Sequence, residues 1–139
     1  KAHPHKDSQM KFKRSLKRLL CRSWSIDLDS RLTRINQLTR GWINYFKKGD
    51  MKKFLSVISG WIGTKLRVVI WKQWKRTYTR YKALIKLGLC KNEAKCVANS
   101  RKGYYHLAKC WSITKAITNE RLKKRGVVSP LDYYLSKIA

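Results

Sequence analysis

Between Asp50 and Glu93 the sequence holds no carboxylate, while Lys52, Lys53, Lys65, Arg67, Lys72, Lys75, Arg76, Arg80, Lys82, Lys86 and Lys91 all fall in that interval. A solvated helix face ordinarily mixes signs, because opposite charges at i,i+4 contribute about 0.2–0.5 kcal/mol and like charges cost about as much. A cationic face that forgoes those pairs over several turns calls for an external anion, and phosphates supply one. Trp71, Trp74, Tyr78 and Tyr81 are interleaved with these bases. Aromatic rings beside Arg stack on unpaired bases or riboses, which favours structured RNA over a plain duplex. The competing reading is that the two tryptophans close the end of a helical core. Arg76 and Arg80, four apart, would clamp successive phosphates if one helix ran through both.

Other chemistry lacks its residues. Metal-assisted polymerisation or nuclease work needs clustered carboxylates to hold two cations. The closest acids, Asp27 and Asp29, stand at a helix start, where the macrodipole explains them. His3 and His5 lie in a polar N-terminus and His106 in a basic, aromatic segment, so no nucleophile–base pairing is legible and no catalytic residue is assigned. His106 and Cys110 are four apart and join Cys90 and Cys96 as conceivable zinc ligands, but the spacings match no standard pattern, and no metal or cofactor is expected. Gly60 and Gly63 flank Trp61-Ile62 within an apolar helical pattern, each costing about 1 kcal/mol relative to Ala. They read either as a close backbone approach or as a kink.

The whole composition agrees with a polyanion-binding module. Thirty-four Lys and Arg against seven Asp and Glu give a formal charge of +27 on 139 residues. Such an excess repels itself in a compact fold unless a polyanion neutralises it. Six Trp, seven Tyr and 43% apolar residues nevertheless supply a core, which a disordered basic tail would lack. The most apolar stretch, Phe54 to Trp74, is interrupted by Lys65, Arg67 and Lys72, so no membrane partner is expected. No secretory signal opens the chain, and the four cysteines show no C-x-x-C spacing, which predicts reduced thiols. The sequence begins without Met and reads as a piece of a longer or processed polypeptide.

Helical periodicity runs almost throughout. Asp7 or Ser8 is expected to cap a first helix with Phe12, Leu16, Leu19 and Leu20 on one face. Asp27 is expected to cap a second, striped by Leu28, Leu32, Ile35, Leu38, Trp42 and Phe46, with Gly49 ending it and Asp50 capping the next. The third carries Phe54, Ile58, Trp61, Ile62, Leu66 and Val69. These predict an all-α protein: a three-helix bundle over 1–76, then a smaller, basic extension of shorter helices over 77–139. In the extension, helices are expected over 81–87 with Gly88 ending the turn, 92–99, and 112–124 ended by Gly126. Ser129-Pro130 then starts a last helix as N-cap and first-position proline.

Several strings carry a resemblance. Arg40-Gly41-Trp42-Ile43-Asn44-Tyr45-Phe46 and Ile70-Trp71-Lys72-Gln73-Trp74-Lys75-Arg76 resemble the maturase-specific (X, or thumb) domain of group II intron reverse transcriptases. Asn99-Ser100-Arg101-Lys102-Gly103-Tyr104-Tyr105 and Ser129-Pro130-Leu131-Asp132-Tyr133-Tyr134 resemble the tail of the same proteins, so the likeness runs from about Lys11 to Lys137. It implies a helical thumb that grips an RNA/DNA template–primer duplex beside a polymerase palm and fingers. It also implies binding of group II intron RNA, whose active fold the protein stabilises while the RNA performs the splicing chemistry. The palm's Asp-Asp motif is missing from this chain, so the polymerase would lie elsewhere. Carried over by position, the implied RNA contacts are Lys11, Lys13, Arg14, Lys17, Arg18 and Arg40. To these are added Lys65, Arg67, Trp71, Lys72, Trp74, Lys75, Arg76, Tyr78, Arg80, Arg101 and Lys102. Trp42, Tyr45 and Phe46 are expected in the core. The resemblance implies a bacterial cytoplasmic or organellar setting. The alternative from composition alone is a generic basic structural protein of a ribonucleoprotein.

Overall fold

Local hydrogen bonds set most of the helix starts and stops. In the computed structural model, which describes residues 5–138, Asp27 accepts from the backbone N–H of Ser30 at 2.9 Å and starts α2 (Leu28–Phe46). His3 lies outside the described residues. The first helix, α1 (Lys6–Leu19), is capped not by Asp7 or Ser8 but earlier, by His5, whose Nδ1 accepts from the Asp7 N–H at 3.1 Å. Next come α3 (Lys52–Gln73), α4 (Thr77–Lys86), α5 (Lys91–Ala98) and α6 (Tyr104–Lys109). They are followed by α7 (Trp111–Ala116), α8 (Asn119–Arg125) and α9 (Pro130–Ile138). The chain is all-α, with no strand among the described residues. Gly88 and Gly126 take the left-handed conformation at φ +105° and +121° and end α4 and α8, as the sequence predicts. Gly49 does not: the turn after α2 closes through its N–H on the Phe46 carbonyl without a positive φ.

Two compact units divide the chain, Lys1–Ile62 with Lys123–Ala139, and Gly63–Leu122. The division falls inside α3 rather than at the expected 76/77 boundary, and α9 belongs with the first unit rather than with the extension. In the first unit, Phe12, Leu16, Leu32, Ile35, Ile43, Met51, Leu55, Ile58 and Tyr134 are buried. Phe12 stacks on Trp42 with ring centroids 4.6 Å apart, and Phe46 and Phe54 close on the same indole. Helix α9 completes this core because it carries the polar partners as well as the apolar ones. The Tyr134 hydroxyl donates to the Gly49 carbonyl at 2.8 Å, and the Leu131 N–H donates to Ser59 Oγ. Asn36, buried on α2, clamps the strand of chain entering α9: its Nδ2 donates to the Gly126 carbonyl and its Oδ1 accepts from the Val128 N–H. Tyr45 departs from expectation and is 82% exposed. Consecutive helical residues are about 100° apart, so Tyr45 falls beside the Ile35–Thr39–Ile43–Phe46 stripe rather than on it.

Arg31 locks the α1–α2 connection. Its guanidinium is buried and donates to the carbonyls of Leu19 at 2.6 Å, Cys21 at 2.9 Å and Trp24 at 2.7 Å, while lying 5.3 Å from the Trp24 ring centroid. The positive group thus meets the carbonyl-rich end of α1, where a cation is favoured. Burial pushes its pKa below the ordinary Arg value, yet a guanidinium stays charged in a protein. Arg31→Met keeps the stem but orphans these carbonyls. Its unfolding free energy is expected to fall by about 3 kcal/mol in urea denaturation. A loss within error of zero would mean that water replaces the guanidinium freely.

In the second unit Leu66, Val69, Trp71, Leu84, Leu107, Ile113 and Ile117 are buried. The helix expected over 112–124 is broken at Ile117 and Thr118. Thr118 Oγ1 accepts from the Arg121 N–H at 3.2 Å and so begins α8 in the manner of an N-cap. Helix α3 is 22 residues long and its most apolar 18-residue window has a mean hydropathy of 1.3, enough by length and composition to cross a membrane. Half of that window is buried inside the protein, the pattern of a core helix.

Candidate nucleic-acid interface

On α1 the apolar and basic positions separate by helical geometry. Phe12 and Leu16 point into the first unit, and Lys11, Lys13, Arg14, Lys17 and Arg18 are all exposed around the opposite side. Lys13 Nζ lies 5.3 Å from the Trp61 ring centroid, so its stem covers an indole while its charge reaches solvent. Arg40 is exposed on α2. Of the carboxylates in this unit, Asp7 lies in the first turn of α1, 3.5 Å from His5 Nδ1, Asp29 pairs with Arg125, and Asp132 pairs with Lys123 at 2.8 Å. In the second unit Glu93 pairs with Lys115 at 3.2 Å.

The second unit sorts the remaining expected contacts into three groups. Lys75, Arg76, Arg101 and Lys102 are exposed, and Tyr78 is 67% exposed with Lys82 Nζ 5.4 Å from its ring centroid. Lys65, Lys72, Trp74 and Arg80 are half-buried. Arg67 and Trp71 are buried, unlike the surface positions expected of RNA contacts.

The physical reason lies in the spacing of α3, where Gly63, Arg67 and Trp71 follow one another at i, i+4 and i+8 on one inward face. A Cβ at Gly63 would approach Arg67 Nη1 to 3.3 Å, so the glycine makes room for the guanidinium; Gly60 faces open space. Arg67 Nε donates to the Ile117 carbonyl at 2.7 Å and Nη2 to Asn119 Oδ1 at 2.9 Å, groups that the α7–α8 break leaves free. Desolvation pushes the Arg67 pKa down. Trp71 is 1% exposed, packs edge-on to Trp74 and offers its face to Arg80, whose guanidinium carbon lies 4.6 Å from the indole centroid. Arg80 also donates twice to the Trp71 carbonyl, at 3.1 and 3.2 Å. The expected Arg76–Arg80 phosphate clamp is therefore not formed. Arg76 is the extended N-cap of α4, and the Arg80 guanidinium is committed to the end of α3.

One cluster was not legible as a site in the sequence. Lys65 Nζ and Lys109 Nζ lie 5.2 and 5.4 Å from the centroid of the Tyr105 ring, and Tyr105 is 44% exposed. The Tyr105–Lys109 half has a local signal, spacing i,i+4 within α6, but nothing near Tyr105 in sequence points to Lys65. Among the described residues no three potential metal ligands converge, and the four cysteines are unpaired.

The arrangement provides exposed ammonium and guanidinium groups on α1, at the α3–α4 turn and before α6, with rings beside several of them. Such groups can neutralise phosphates and offer π faces. No curated protein matches the chain. The family model described as the group II intron, maturase-specific domain matches residues 9–88, from within α1 to the glycine that ends α4. That is more than half of the 139 residues, and the chain belongs to the group II intron maturase-specific domain family.

Proposed function

We propose that the chain binds group II intron RNA and stabilises its splicing-competent fold, and that beside a polymerase palm it grips the template–primer duplex as a thumb. The setting would be a bacterial cytoplasm or an organelle. The observation that carries this reading is the exposed row of five bases on α1, opposite the buried Phe12 and Leu16, in a chain of this family. A surface of this kind binds through phosphate neutralisation and counterion release, while the RNA supplies the reacting groups. The RNA's fold is favoured because a protein that binds the folded form more tightly shifts the equilibrium toward it.

The test is a gel-shift comparison of a structured intron RNA with duplex DNA and unrelated RNA of equal length. Tighter binding of the intron RNA at about 150 mM salt is expected, where surface electrostatics are screened beyond roughly 8 Å. Indistinguishable affinities would leave the generic ribonucleoprotein reading in its place.

A further inference from the structure

Trp111 is 72% exposed, whereas the other five tryptophans are buried or half-buried. An indole left in water forgoes the burial that stabilises its neighbours, so its contribution to folding is limited to local contacts at the first position of α7. Its surroundings are organised all the same. Lys115, one turn on, holds its ammonium 4.1 Å from the indole centroid. Glu93 on α5 fixes that ammonium through Oε2 at 3.2 Å, while its Oε1 accepts from the Ser112 hydroxyl at 2.6 Å. These bonds hold the Glu93 carboxyl below the usual range, so the fixing anion persists. Lys115 lies against the indole and most of the remaining ring surface is open to solvent. Two residues before Trp111, Lys109 ends α6 and, with Lys65, flanks Tyr105. Each of the two ammoniums lies within 5.4 Å of the centroid of that one ring.

We propose that the corner between α6 and α7 takes an unpaired nucleotide of RNA, its base stacked on the open face of Trp111 and its neighbouring phosphates held by Lys109 and Lys65. The inference rests on the reading of the chain as an intron-RNA binder and adds a subsite in a segment beyond the family match. Base–aromatic stacking tolerates any base, because every base has a π face, but it requires that the base be out of a duplex. The Lys115 ammonium beneath the indole adds positive charge where the strand passes.

Binding of a short single-stranded RNA, a short RNA duplex and the intron RNA is measured for the full chain and for Trp111→Ala and Trp111→Phe. Trp111→Ala is expected to weaken single-strand binding by about 5- to 150-fold and to leave duplex binding nearly unchanged. Trp111→Phe, which keeps a ring, is expected to lose less. Unchanged single-strand affinity in Trp111→Ala, with intron RNA still bound by the unaltered chain, would overturn the subsite and spare the broader reading. An equal loss on duplex and single strand would also overturn it, since stacking would not be the cause. Failure of the unaltered chain to prefer intron RNA would remove the broader reading and the subsite with it.

Discussion

Raising the salt from about 50 to about 200 mM is expected to weaken intron-RNA binding by about 10³-fold or more, as for a protein neutralising six to ten phosphates. Exchanging Lys11, Lys13, Arg14, Lys17 and Arg18 together for Gln is expected to flatten the log–log salt dependence by about 3 to 5, at roughly 0.7–0.9 per lost phosphate contact. Gln matches Lys and Arg in helix propensity, so α1 should persist, with Phe12 and Leu16 holding it to the core. Filter binding across a salt series reads both numbers. A slope that survives all five exchanges would place the phosphate contacts on the second unit, around Lys75, Arg76, Arg101 and Lys102. The stability of the free chain should move the opposite way. With 34 bases and seven acids, self-repulsion weakens the compact state, and salt or a bound polyanion relieves it. One change of conditions thus loosens the complex and tightens the fold.

What the sequence made legible follows the range of the forces involved. The Asp27 cap, the Pro130 start, and the left-handed Gly88 and Gly126 depend on groups within a few residues, and pattern reading finds them. The α1 face is legible for the same reason, since apolar and basic positions separate on a single helix. Arg67 and Trp71 look like the rest of a basic, aromatic segment until Ile117 and Asn119, some fifty residues on, supply the carbonyl and amide that receive the guanidinium. Helix α9 shows by its apolar stripe that it needs a partner, but the choice of the first unit is made by Gly49, Asn36 and Ser59, which no periodicity relates to it. Tyr105 meets Lys65 across forty residues in the same way. Cationic residues are the hardest to place, because their charge argues for the surface while their long stems and multiple donors allow burial against carbonyls. Arg31 and Arg67 are that case.

Trp71→Ala is expected to lower the unfolding free energy of the full chain by about 3–5 kcal/mol, the usual cost of emptying a buried aromatic site. Arg80 would lose the ring that its guanidinium lies against, while the backbone carbonyl of residue 71 that it bonds would remain. Trp71→Phe retains a ring at that place and should cost less. Trp111→Ala, in contrast, should stay within about 0.5 kcal/mol of the unaltered chain, as exposed substitutions do. Thermal or urea unfolding of the three variants therefore separates the two tryptophans by role, and RNA affinity should rank them in the reverse order once each is measured on folded protein. If Trp71→Ala proved stable and yet bound RNA poorly, the indole would be a contact surface and its burial beneath Arg80 would be wrong. The Gly63–Arg67–Trp71 face would then lose its structural explanation as well, because the room left at Gly63 serves a guanidinium whose place depends on the same inward-facing side of α3.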